Sequence, residues 1–284
     1  MKKIGLLILL CCVVSCKQEI SEPTPIVVEG WIENNLPPVV MLHHAISFDE
    51  DWVSIDDFMR EKLIVWGKVT LNNNDTTIIM TGQLDTAYML PYRYSTAYMV
   101  GDVAKKYKLE VEYNGQKVFA ETTIPSIVPI DSIEIKGYKD DFVNLYVSWT
   151  DNKSTEDYYC LFYKFKGHFQ YLVCNFGVFN DKLSKNNVMG AYIYKRSTIV
   201  GMEDNLFWFT RNDTITLKLA HIDKAGFDFW ESFQATNSSN IPIASSTHSR
   251  GIRSNITGGY GYWCGMGSCE KQLILSKDTV LRFN

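Results

Sequence analysis

Three things are scarce in this chain of 284 residues, and each scarcity excludes something. It has no apolar run near the roughly 20 residues that a membrane-spanning helix needs; the longest, Ile4 to Val14, is much shorter. It has no excess of positive charge, with 28 Lys and Arg against 32 Asp and Glu. Nucleic acid, which demands a basic face, is therefore excluded as a partner. It has only five histidines and no H-E-x-x-H pair, nor a nucleophile elbow, a Walker loop or a G-x-G-x-x-G fingerprint. The reading is a non-enzymatic protein without a metal or cofactor.

What is present at the start fixes an address. Lys2 and Lys3 precede the apolar run, which has the length of a signal-peptide core. The run ends in Val13-Val14-Ser15-Cys16. This resembles the lipobox of bacterial lipoproteins and implies cleavage before Cys16, with acyl chains on that residue. Residues 1–15 are thus expected to be removed, taking Cys11 and Cys12 with them. Several acyl chains on Cys16 anchor a protein to a bilayer without spanning it. Residues 16–25 read as a short lipidated tether. Lys17-Gln18-Glu19 resembles the surface-export signal of Bacteroidota-type lipoproteins, which implies an outer-membrane protein facing the cell exterior.

Beyond the tether, period-2 alternation dominates and predicts a mainly β protein with two sandwich-like, Ig-like units. The first is expected over 26–125 and the second over 130–284, with Pro125 and Pro129 bracketing the junction. "YKLEVEYNGQKVFAETT" is the clearest hairpin, because Asn114-Gly115 suits a type I′ turn and Tyr107, Leu109, Val111 and Tyr113 share a face. The best helix is 223–236, where Phe227, Trp230 and Phe233 line one side. A weaker one is expected over 54–63, with Ser54 as N-cap.

The order of these segments is informative. A lipobox is followed by "VVEGWI", "YKLEVEYNGQKVFAETTIP", "PIDSIEI", the acidic turn "FNDKL", "DFWESFQ" and "SNITGGYGYWCGMG". The series resembles the outer-membrane lipoprotein family called domain of unknown function 4249. The chain departs from it at Asp102-Val103-Ala104-Lys105, where the family usually has glycine and proline. The resemblance implies a Bacteroidota-type surface lipoprotein encoded near TonB-dependent transporters, and so a non-enzymatic accessory or capture subunit for nutrient uptake. The alternative is a β-sandwich adhesin or structural surface protein with no transporter partner.

Several side chains are candidates for a role. Cys160 and Cys174 would face each other and could form a disulfide if Lys166-Gly167-His168 were a three-residue hairpin loop; otherwise they are two buried thiols. Cys264 and Cys269 lack the second ligand pair of a zinc site. His43 and His44 point to opposite faces of a strand. Asp49, Glu50, Asp51, Asp56 and Asp57 form an acidic loop without the glycine of a calcium loop. In "GGYGYWCGMG", Tyr260, Tyr262 and Trp263 offer either a ligand or partner loop or a core strand whose glycines admit a second backbone. Thr76, Thr86, Ser132, Thr214 and Thr279 each follow an aspartate and resemble the O-glycosylation acceptors of Bacteroidota-type exported proteins.

Overall fold

A computed structural model of the chain describes residues 24–45, 61–152, 154–183, 187–195, 207–237 and 251–283. The expected signal segment, Cys16 with most of its tether, and the acidic loop lie outside the described residues. Of the helix expected over 54–63, only 61–63 are described; Glu61 and Lys62 are helical.

The protein is mainly β, with three sheets and a single long helix among the described residues. Strands β1 (Ile26–Glu33), β2 (Val39–His44), β5 (Thr81–Leu84), β6 (Tyr92–Ser95), β11 (Tyr158–Phe165), β12 (Leu172–Asn180), β15 (Thr214–Ile222) and β16 (Tyr260–Ile274) form the largest sheet. Their spatial order is β12-β11-β15-β16-β1-β2-β6-β5. A four-stranded sheet, in the order β4-β3-β7-β8, consists of β3 (Lys68–Asn72), β4 (Thr77–Ile79), β7 (Lys106–Tyr113) and β8 (Gln116–Thr123). A five-stranded sheet is built from β9 (Ile130–Gly137), β10 (Phe142–Thr150), β13 (Val188–Ile193), β14 (Phe209–Thr210) and β17 (Thr279–Arg282).

Each small sheet packs on one face of the large one. The first core joins Ile26, Val28, Val40 and Leu42 to Val69, Tyr107, Leu109 and Val111. The second joins Leu161, Tyr163, Leu217 and Leu219 to Ile133, Leu145, Val147 and Trp149. Most first-core residues precede Pro125 and the second-core residues follow it, but Ile256 and Trp263 join the first core, and the large sheet carries strands from both halves. Alternation explains the faces: even residues of β1 enter the first core, and odd residues point to the opposite face.

Two elements follow the sequence pattern closely. The β7–β8 hairpin pairs Tyr113 with Gln116 across Asn114 and Gly115, whose φ values of 46° and 77° are those of a type I′ turn. Helix α1 (Lys224–Asn237) begins after Asp223, whose Oδ1 accepts from Gly226 N at 2.8 Å. Phe227, Phe229, Trp230 and Phe233 of α1 pack on Cys160, Ala220, Tyr262, Cys264 and Met266, making a third core on the other face of the large sheet. Ala104 has φ 65°, so the turn before β7 keeps a left-handed residue where the resembled family usually places glycine and proline.

Strand β16 ties the halves together. Residues from Tyr260 to Met266 pair in parallel with β1, and residues from Met266 to Ile274 pair antiparallel with β15. Only Met266 belongs to both registers. Trp263 lies in the first core, donating Nε1–H to Tyr107 O at 3.1 Å. Cys264 and Met266 lie in the third core and Leu273 in the second. Where β15 is absent, the side chain of Asn255 takes the place of a neighbouring strand: it accepts from Trp263 N at 2.9 Å and donates to Trp263 O at 2.7 Å.

The glycines of β16 admit a second backbone. A Cβ on Gly265 would sit 2.6 Å from Thr123 O, and one on Gly267 2.4 Å from Pro125 O. The connection from β8 to β9 crosses there. It is fixed by Thr122 Oγ1, which accepts from Gly265 N at 2.7 Å and donates to Asp223 Oδ2 at 2.6 Å. Gly265→Val is therefore expected to lower unfolding free energy by about 3 kcal/mol or more, since the neighbour to be displaced is backbone. Urea denaturation followed by tryptophan fluorescence measures it. Phe119→Val, at a 44% exposed position of β8, should change little.

Candidate functional site

Among the described residues, the face of the large sheet opposite the two small sheets is covered by α1 only in part. Beside the helix lies a cavity of about 930 Å³. Its floor is the odd-numbered side of β1 (Val27, Glu29, Trp31, Glu33) with Val39, Met41 and His43 of β2. Phe162, Lys164 and Lys218 from β11 and β15 continue it, with Tyr260, Tyr262, Met266 and Glu270 of β16. The helix closes one side through Phe229, Trp230 and Phe233. At the rim, the loop before β6 meets the loop before β12, where Met89 N donates to Gln170 Oε1 at 3.0 Å.

The walls are aromatic. Tyr262 lies between Phe229 and Trp230, with ring centroids at 4.6 and 5.0 Å. Trp31 and Tyr88 are 6.1 Å apart, and the Arg93 guanidinium stands 5.8 Å from the centre of the Tyr88 ring. Such rings supply large apolar faces with few rotamers to freeze.

Within these walls a charge network is buried. Lys218 Nζ donates to both oxygens of Glu33 at 2.7 Å, with both side chains nearly inaccessible. Glu270 Oε1 is 3.3 Å from the same ammonium. Lys218 and Lys164 stand over the Tyr171 ring at 3.8 and 4.3 Å from its centre. Burial, together with the nearby Glu270 carboxylate, pushes the Tyr171 phenol well above its usual range. Arg93 Nε pairs with Asp85 Oδ2 at 2.6 Å, which holds the Asp85 carboxyl below the usual carboxylate range.

His43 and Glu29 form a second polar group. His43 is 3% exposed, and its Nδ1 is 2.9 Å from His44 O. The carbonyl only accepts, so Nδ1 carries a proton. Nε2 has no hydrogen-bond partner, and the nearest charge is Glu29 Oε1 at 3.4 Å. Trp230 Nε1 is likewise buried without an acceptor.

The structure distributes the sequence candidates as follows. Tyr260, Tyr262 and Trp263 belong to strand β16 and not to a loop. Tyr260 and Tyr262 line the cavity, whereas Trp263 points the other way into the first core. Cys160 and Cys174 are free and do not pair. A three-residue loop would place Tyr163 opposite Tyr171, but Tyr163 pairs with Leu172. That one-residue slip sends the two thiols to opposite faces, Cys160 into the third core and Cys174 into the second. Cys264 and Cys269 are also free. His43 and His44 do face opposite sides, His43 into the cavity and His44 against Tyr113. Thr76 and Thr86 are exposed, whereas Ser132, Thr214 and Thr279 are half-buried in strands, Ser132 Oγ being 2.7 Å from Ser148 Oγ.

Glu29, Glu33, Lys218 and Trp31 were not singled out in the sequence. Their signal was charge at alternate positions of otherwise apolar strands, "VEGWIE" and "TLKLAHI". One polar residue per pleat ordinarily marks a solvent face, and only tertiary packing turns that face into a cavity.

Two measurements bear on this arrangement. Glu33→Gln leaves the Lys218 ammonium without its main counter-charge and should cost about 3–5 kcal/mol of unfolding free energy, while Glu33→Leu combined with Lys218→Met recovers most of it in urea titrations. Burial raises the thiols of Cys160, Cys174 and Cys264 far above the ordinary range. These three should therefore resist iodoacetamide at pH 8 in the native protein and react once guanidinium unfolds it, as peptide mass spectrometry would read.

No curated protein matches the chain. The family model for "Domain of unknown function (DUF4249)" matches residues 15–272, a span that takes in the cavity, α1 and all of the large sheet but the last two residues of β16. The chain belongs to the DUF4249 family.

Proposed function

We propose that this protein is a lipid-anchored capture protein of the bacterial outer membrane, a non-enzymatic accessory subunit of a TonB-dependent nutrient transporter. The observation that carries the reading is the cavity of about 930 Å³ on the large sheet, aromatic-walled and furnished with a few fixed polar groups. Concave, mainly apolar sites of this kind suit small-molecule binding. The lipobox at Cys16 supports an anchor in the bilayer, and the tether up to Pro25 leads directly into β1, the cavity floor. The charges after Cys16 support a body facing the cell exterior.

A second reading, as an adhesin or structural surface protein without a transporter, draws on a different surface. Beside the five-stranded sheet, Tyr138 is 57% exposed and stacks on Trp208 at 4.3 Å, and Tyr192 is 55% exposed. Exposed aromatic groups of this kind favour contact with another surface.

Affinity purification of the tagged protein from mildly solubilised outer membranes, followed by mass spectrometry, separates the two. A TonB-dependent transporter in stoichiometric amount is the expected result. Recovery of the chain alone would overturn the transporter reading and favour the adhesin.

A further inference from the structure

We infer that the β5–β6 hairpin is a hinged flap that closes the cavity mouth, an inference about access that goes beyond the capture reading and is independent of what the cavity takes. The order of the sheet sets the geometry. β5 and β12 are its opposite edges. The loop 85–91, between β5 and β6, nonetheless reaches Gln170, the residue two before β12. The two edges therefore meet over the cavity. Tyr88 of this loop stands over the floor, its ring centroid 6.1 Å from that of Trp31.

The hairpin has a narrow base. β1 and β2 pair along the whole of Ile26 to Trp31, whereas β2 and β6 pair at Val40 and Tyr94 alone. Tyr94 is the pivot. Its ring is buried in the first core, and its hydroxyl accepts from Gly67 N at 2.8 Å and donates to Ile64 O at 2.9 Å. Ser95 Oγ donates to Pro38 O at 2.7 Å, and Met80 N to Val69 O at 2.8 Å. Beyond these anchors the tip is tied to itself through Asp85. Its carboxylate accepts from Arg93 Nε at 2.6 Å and from Ala87 N at 3.1 Å, and its N–H donates to Pro91 O at 2.9 Å. A tip tied to itself on a base tied to the core can turn as a rigid body, which is the form hinged closures take.

Little holds the tip shut. Among the described residues, one hydrogen bond joins it to the far edge, from Met89 N to Gln170 Oε1 at 3.0 Å. Such a bond between exposed loops is weak, because water competes for both partners. Of the apolar side chains on the flap, Leu90 is buried and Tyr88 half-buried, while Leu84 and Met89 are mostly exposed. Few buried apolar contacts and a single latch mark a segment that opens locally while the sheet stays folded.

The test places a thiol under the flap of the full-length lipidated protein in lipid nanodiscs. Val39 lines the cavity and lies opposite Trp31 in the β1–β2 ladder, so Val39→Cys puts a small reactive group beside the ring that Tyr88 covers. Modification by N-ethylmaleimide is followed in time by peptide mass spectrometry. Cys160 and Cys174, buried in different cores, report global opening in the same sample. Adding Gln170→Ala should speed modification at position 39 by about fivefold or more while Cys160 and Cys174 stay unmodified. Gln170→Glu, which keeps an acceptor for Met89 N, should leave the rate within about twofold of Val39→Cys alone. Equal rates with and without Gln170→Ala overturn the flap. Hydrogen exchange on the unsubstituted protein needs no cavity substitution: the amides of Asp85 and Met89 should exchange faster than those of β1, and faster again with Gln170→Ala. Exchange as slow as that of β1 shows a rigid sheet edge and also overturns the flap. Neither result touches co-purification of a transporter, which judges the capture reading separately.

Discussion

The fold depends on one strand passing between layers that could not otherwise join. β16 pairs with β1 along its first half and with β15 along its second, so it is the splice between two staggered groups of strands. A parallel partner for β1 has to come from far along the chain, because parallel neighbours require a crossover. Here the crossover is nearly the whole protein. The glycines of β16 are the condition for this arrangement, since the connection from β8 to β9 lies directly against Gly265 and Gly267. Side chains there would force the small sheets away from the large one.

From that splice the cavity follows. Once the small sheets occupy one face of the large sheet, α1 is the element among the described residues that packs on the other, and a helix of 14 residues is too short to cover eight strands. The part that the described residues leave open keeps the polar residues that alternate along β1, β2 and β15. Asp223 links α1 to β8: it caps the helix and holds Thr122, next to the crossing connection.

The buried Glu33–Lys218 pair joins residues from opposite ends of the chain and stands over the shared strand. Such a pair adds little net stability over a well-packed apolar substitute, but it penalises any register in which its partners separate. In a sheet assembled from distant segments, that penalty acts against strand slippage.

Read alone, the residues determined the β class, the β7–β8 hairpin with its Asn114-Gly115 turn and the amphipathic helix after Asp223, because these rest on local periodicity and turn chemistry. They also carried the family resemblance. The core-strand alternative for "GGYGYWCGMG" matches its place in β16, but only the tertiary structure decided which backbone the glycines admit. Tertiary structure also decided the fate of Cys160 and Cys174, since one residue of register, set by the length of a loop, moves a thiol from one core to another. The cavity was hidden for the same reason. Glu29, Glu33, His43 and Lys218 lie in separate strands, and which face of a sheet remains uncovered depends on the packing of layers far apart in sequence.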